Sequence, residues 1–243
     1  MVLLGNDHEL IVDEISHLTN EEQAEKLADA FSSVSQEYEP LKTENINVPP
    51  FKTEDIPNIS VQIVEIFLRD IKTCKAITKD DIPSKIFKKF ANYLSDPIAS
   101  LINKCIRDGA WPDIFKHEIV TPIPKVFPPR NIEDLRNISG LLTINKIAEK
   151  CIAKLIISDM KEKLDPKQYA NQHGIGIQHY LINMLNRILT ALDSKSETKA
   201  VLATLIDWKQ AFPRQCPKLG IKAFISVGVR ASFIPMLVNY LQH

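Results

Sequence analysis

The sequence predicts an α/β (α+β) fold, predominantly helical, on three observations. Segments with apolar residues three and four apart recur between proline-rich breaks. Around residues 113 to 140 that rhythm stops, because Pro112, Pro122, Pro124, Pro128 and Pro129 exclude a long helix. One short apolar run, Lys199 to Asp207, has the makeup of a central strand.

The 243 residues, 44% hydrophobic and 25% charged, suit one or two packed units of ordinary globular composition. Zero net charge conceals a division. Residues 1 to 60 hold 13 acidic and 3 basic side chains, net −10, and residues 61 to 243 hold 17 and 27, net +10. The second balance suits contact with a polyanion such as nucleic acid, and equally suits Lys and Arg that solvate helix faces. Cys74, Cys105, Cys151 and Cys216 lie far apart and form no Cys-x-x-Cys pair, which predicts neither a zinc site, nor a disulfide framework, nor a disulfide-linked partner. Met1 to Asp7 lacks a basic segment and a long apolar core, and no run approaches the ~20 apolar residues of a membrane span. The expected setting is intracellular, nucleus or cytoplasm, with no membrane partner.

In chain order, Thr19 or Asn20 caps a first helix. Glu21 and Glu22 suit its positive end, and Ala24, Leu27, Ala28 and Phe31 form its apolar stripe. Residues 36 to 58, with Pro40, Pro49, Pro50 and Pro57, read as a linker of low packing density. Val61, Val64, Leu68 and Ile71 mark one helix, and Ile86, Phe87, Phe90 and Leu94 another that starts after Pro83. A third has Asp96 as cap and Pro97 at the first helical position, turns Ile98, Leu101, Ile102, Cys105 and Ile106 inward, and stops at Gly109. His117 to Pro124 alternates enough for a short edge strand. Lys125, Arg130 and Arg136 surround this Pro-stiffened segment, where basic groups meet phosphate at little ordering cost.

Further helices are predicted from Ile144 to Leu164, closed by Asp165-Pro166, and from about Gln178 to Asp193. The turn between them, Asn171 to Ile177, contains two glycines but no Gly-Lys-Ser/Thr phosphate loop. His173 and His179, six apart, do not share a helix face as a zinc pair does. After the expected strand, short helices are predicted near Lys218 to Val227 and Ser232 to Gln242.

Five ordered motifs then carry a resemblance. They are Asp80-Asp81-Ile82-Pro83-Ser84-Lys85-Ile86, Trp111-Pro112 through Ile119-Val120-Thr121-Pro122-Ile123-Pro124-Lys125, Arg136-Asn137-Ile138-Ser139, Gln172-His173-Gly174, and Asp207-Trp208-Lys209-Gln210-Ala211-Phe212. In this order they resemble the reverse transcriptase domain of non-LTR (LINE-type) retrotransposons, over roughly residues 56 to 243. The resemblance implies a right-hand polymerase fold divided into an acidic flank and linker at 1–55, a fingers-like region at 56–177 and an incomplete palm at 178–243. It departs from the family pattern at Asp81, Asn137, His173, Gly176 and Pro213.

Carried over by position, the resemblance makes Asp207 the catalytic carboxylate and first Mg²⁺ ligand. Lys125 and Arg136 become triphosphate contacts, Phe212 the aromatic gate under the sugar, and Gln172 and Gly174 template contacts. RNA template, DNA primer and deoxynucleoside triphosphates are the implied partners. A hard carboxylate oxygen suits Mg²⁺, and Lys with Arg suits phosphate oxygens. Two ions need more than one carboxylate, yet Trp208 to His243 contains no Asp or Glu, and the family's Phe/Tyr-x-Asp-Asp hairpin does not occur there. The expectation is therefore a polymerase fragment that does not polymerise processively. The alternatives are a non-catalytic nucleic-acid-binding remnant and a decayed open reading frame.

Overall fold

A computed structural model describes residues 12–33, 38–39, 41–73, 82–172, 174–193, 200–208, 211 and 214–242. Helix α1 (Asn20–Ser33) begins with a reciprocal cap. Thr19 Oγ1 accepts from the Glu22 N–H at 3.3 Å, while the Glu22 carboxylate accepts from the Thr19 N–H and hydroxyl, both at 2.9 Å. These hydrogen bonds hold the Glu22 carboxyl below its ordinary range. Leu27 of α1 is buried with Val12, Ile15 and Leu135 in a small core of its own. The Glu14 N–H donates to the Arg130 carbonyl, and the Glu14 carboxylate accepts from the Ile132 N–H, both at 3.1 Å. The acidic flank is thereby fastened to a segment more than a hundred residues away.

The expected linker is not slack where it is described. Leu41, Ile46 and Ile59 are buried in the main core, and two 3₁₀ turns, Thr43–Asn45 and Thr53–Asp55, lie between them. Proline limits helix and sheet but not burial, since its neighbours keep their apolar side chains.

Helix α2 (Val61–Arg69) is capped by the Ser60 hydroxyl, which accepts from the Ile63 N–H, and buries Val64 and Leu68. Helices α3 (Ser84–Lys89) and α4 (Ala91–Asp108) are separated at Phe90, not at Asp96. The expected start of the third helix is therefore corrected: α4 begins at Ala91, ahead of the expected cap Asp96, and runs through Pro97. An interior proline costs about 3 kcal/mol, but the face around it buries Ile98, Ile102 and Ile106, each contributing about 1.5–3 kcal/mol. The C-terminus is where the sequence puts it. Gly109 takes φ +62°, and its N–H donates to the carbonyls of Cys105 and Ile106.

Beyond the short α5 (Asp113–Lys116), β1 (Ile119–Pro124) pairs antiparallel with β2 (Leu135–Gly140), from Ile119 opposite Gly140 to Pro124 opposite Leu135. The prolines of β1 are tolerated because a two-stranded ribbon leaves it a free edge. Helix α6 (Thr143–Met160) buries Ile147, Ala148, Cys151, Ile152 and Ile156. Helices α8 (Pro217–Ser226) and α9 (Ile234–Tyr240) follow late in the chain, yet Ile221, Phe233 and Val238 are buried in the same core as Val64, Ile102 and Cys151. Trp111 ties this core together. Its backbone N–H donates to Asn239 Oδ1 at 2.7 Å, and its ring lies edge-on to Phe115 and Tyr240.

Helix α7 (Ile177–Asp193) buries no residue. The central strand expected from Lys199 to Asp207 is also corrected: residues 200–208 form no strand, and Leu202, at 92% exposure, stands in solvent. Lys199 lies outside the described residues. A central strand requires a partner on each edge, and the one sheet among the described residues is the β1–β2 ribbon, whose strands pair with each other. The molecule is thus of α+β class, mostly helical, with one hairpin among the described residues. No helix among the described residues is long and apolar enough to cross a membrane.

Candidate nucleic-acid interface

Register decides what the hairpin presents. Side chains alternate between the two faces of a strand, so cross-strand partners share a face. Pro122 and Leu135 are buried, which turns the face that carries them inward. The opposite face carries Thr121, Ile123, Arg136 and Ile138, with Ile123 directly across from Arg136. One step further, the Lys125 N–H donates to the Asp134 carbonyl at 2.7 Å, extending the same ladder. Lys125 and Arg136, eleven residues apart in sequence, become diagonal neighbours on one exposed face.

The connection between the strands is braced by Asp134. Its carboxylate accepts from the Asn131 N–H at 3.1 Å and the Arg130 N–H at 2.9 Å, and these bonds hold the Asp134 carboxyl below its ordinary range. Lys125 Nζ donates to the Glu133 carbonyl at 2.6 Å, and its charge, with that of Arg130, also helps to hold the Asp134 carboxyl low. Among the described residues no hydrogen bond or ion pair is made by the Arg136 guanidinium, whereas the charge of Arg130 acts on the Asp134 carboxylate. Both arginines stand exposed. The cations at this end of the ribbon can bind anionic oxygens.

A scan against protein-family models finds no match to this chain, and no curated protein matches it.

The remaining candidate residues are placed apart from the hairpin. Asp207 is exposed at the end of the unpaired 200–208 run, and no hydrogen bond or ion pair joins it to the ribbon among the described residues. Phe212 lies outside the described residues, as do Asp80, Asp81 and His173. The Gln172 side-chain amide donates to the Gln168 carbonyl and so closes its own turn. Gly174 takes φ +76°, with open space where a Cβ would stand. Among the described residues no three His, Cys, Asp or Glu side chains converge. Among the described residues the Mg²⁺ pair that the resemblance implies does not fit the donor set, because two ions need more than one carboxylate and Asp207 stands alone.

Titration behaviour is perturbed in the core. Burial pushes the Glu149 carboxyl up, against hydrogen bonds from the Tyr240 hydroxyl at 2.9 Å and the Asn145 amide at 3.3 Å. Burial and the facing carboxylate raise the Tyr240 phenol. These groups join α6, α9 and the Trp111 segment, a structural junction that sequence reading passes over because each polar residue stands alone in an apolar stripe.

Proposed function

We propose that the chain is part of an RNA-directed DNA polymerase of the non-LTR retrotransposon kind, in which the β1–β2 ribbon contacts the phosphates of nucleotide or template. The observation that carries the reading is the register that makes Lys125 and Arg136 neighbours on one exposed face. Two cations on a braced ribbon match the requirement for neutralising phosphate oxygens in a polymerase, where catalysis is largely positioning and electrostatics. The net charge of +10 over residues 61 to 243 agrees with a polyanionic partner.

A second reading, a nucleic-acid-binding protein without polymerase chemistry, is favoured by the isolation of Asp207. Both readings require salt-dependent binding, so fluorescence anisotropy with an RNA template annealed to a DNA primer is the first test. Lys125→Ala and Arg136→Ala should each reduce the salt slope by about 0.7–0.9. Wild-type affinity that is absent, or that does not respond to either variant, removes the interface. Primer extension with Mg²⁺ and deoxynucleotides then separates the two: extension supports the polymerase, and binding without extension supports the second reading.

A further inference from the structure

Phe127 stands 88% exposed in the connection between β1 and β2, with Val126 also exposed beside it. Single exposed aromatic residues are ordinary on protein surfaces. The surroundings distinguish this one. Lys125 and Arg130 bracket it in sequence, and Arg136 occupies the adjoining outer face of the ribbon. The Asp134 and Glu14 carboxylates are turned onto the backbone N–H groups of Arg130, Asn131 and Ile132, so they brace the connection, while Asp134 also feels the charges of Lys125 and Arg130. Pro129 is buried, so the segment that carries the ring is anchored directly behind it.

From this juxtaposition we infer that Phe127 is a stacking platform for an unpaired base of a single-stranded nucleic acid, whose phosphates Lys125, Arg130 and Arg136 neutralise. A flat apolar ring among cations complements a polymer in which flat rings alternate with negative charge. A double helix offers the same phosphates but keeps its bases stacked on one another, so Phe127 has nothing to cover there. The braced connection lowers the ordering cost of presenting the ring. The inference rests on reading the hairpin as a nucleic-acid interface and adds to it the form of the ligand.

The test uses the full chain and a labelled RNA of a dozen nucleotides without self-pairing, followed by anisotropy at several salt concentrations. Phe127→Ala should weaken binding by about 5- to 150-fold, the range of a lost base–aromatic stack. Its salt slope should stay that of wild type, since no phosphate contact is removed. Phe127→Trp should keep the affinity and add emission that the RNA quenches. On the corresponding duplex, Phe127→Ala should bind as wild type does. If wild type binds the single strand and Phe127→Ala binds it equally well, the stacking role falls while the interface stands. If wild type shows no salt-dependent binding, the interface itself falls. Loss of binding to phosphatidylserine vesicles in Phe127→Ala, with RNA binding unchanged, assigns the ring to lipid and overturns the inference.

Discussion

The side-chain amide of Asn103 pairs both ways with the backbone of Ile59, accepting its N–H at 2.7 Å and donating to its carbonyl at 2.9 Å. Both residues are buried, so this one side chain fastens the segment before α2 to the middle of α4. Asn103→Leu fills similar space but leaves two buried backbone groups unpaired, at a cost of roughly 2–4 kcal/mol. Urea unfolding measures it, and a midpoint within error of wild type would show that water replaces the amide.

The Asp159–Arg230 pair joins the last turn of α6 to the segment before α9. The guanidinium donates to both carboxylate oxygens, and the Arg230 N–H adds a third bond. Burial alone raises the Asp159 carboxyl, but the hydrogen bonds and charge of Arg230 outweigh it and hold the group below its ordinary value. A depressed carboxyl contributes stability above its unfolded value, and that contribution is lost as pH falls through the folded value. Asp159→Asn should therefore be less stable than wild type at neutral pH, with the gap closing below about pH 4. With Arg230 36% solvated, about 1–2 kcal/mol is expected, less than a fully buried pair gives.

Glu149 should behave in the opposite sense. Burial raises its carboxyl in the folded state, so its proton-linked stability is present at acid pH and is lost as pH rises through the raised value. Glu149→Gln keeps an acceptor for the Tyr240 hydroxyl and removes the titrating group. Its stability relative to wild type should improve from pH 4 to pH 7. A difference that does not change with pH would show that the carboxyl is solvated.

Because α4 passes through Pro97, Asp96 caps nothing and stands exposed. Asp96→Ala should change stability by no more than about 0.5 kcal/mol, where loss of a helix cap costs about 1 kcal/mol. Pro97→Ala restores an N–H to the helix interior and should stabilise the protein by 1 kcal/mol or more. Thermal melts of the two variants decide between a helix that starts at Ala91 and one that starts after Asp96.

Gly109 is fixed by two constraints. Its φ of +62° disfavours any side chain, and an added Cβ would stand 2.8 Å from Pro235 Cβ. Gly109→Ala should cost roughly 2–4 kcal/mol, about 1–2 from the backbone conformation alone. Pro235→Gly in the same chain should recover the steric part, measured as a double-mutant cycle.

Local signals were legible where local physics sets the structure. The cap at Thr19, the apolar stripe of α4 and Gly109 at its end all act within a turn or two of chain. The edge strand before Lys125 was legible for the same reason, since prolines and alternation mark it directly. Lys199 to Asp207 looked like a strand on composition, but strands are defined by partners, and composition does not supply one. Lys125 and Arg136 were each visible as cations near prolines. Their adjacency was not, because it depends on which residue of β1 faces which residue of β2. Phe127 was hidden by its ordinary type: an aromatic residue between valine and proline reads as core until its exposure is known. Asn103, Asn145 and Glu149 escaped because their partners lie on other elements.

The bond from Trp111 to Asn239 spans 128 residues, and that from Ser232 to the Asp55 carbonyl spans 177. During synthesis α2, α4 and α6 leave the ribosome with their shared surface uncovered, and α8 and α9, which complete it, arrive only after the exposed α7 and the 200–208 run. Closure is therefore late and non-local, a pattern that slows folding and prolongs the exposure of apolar surface. Between the emergence of α6 and that of α9 the nascent chain carries apolar surface that only its last helices cover.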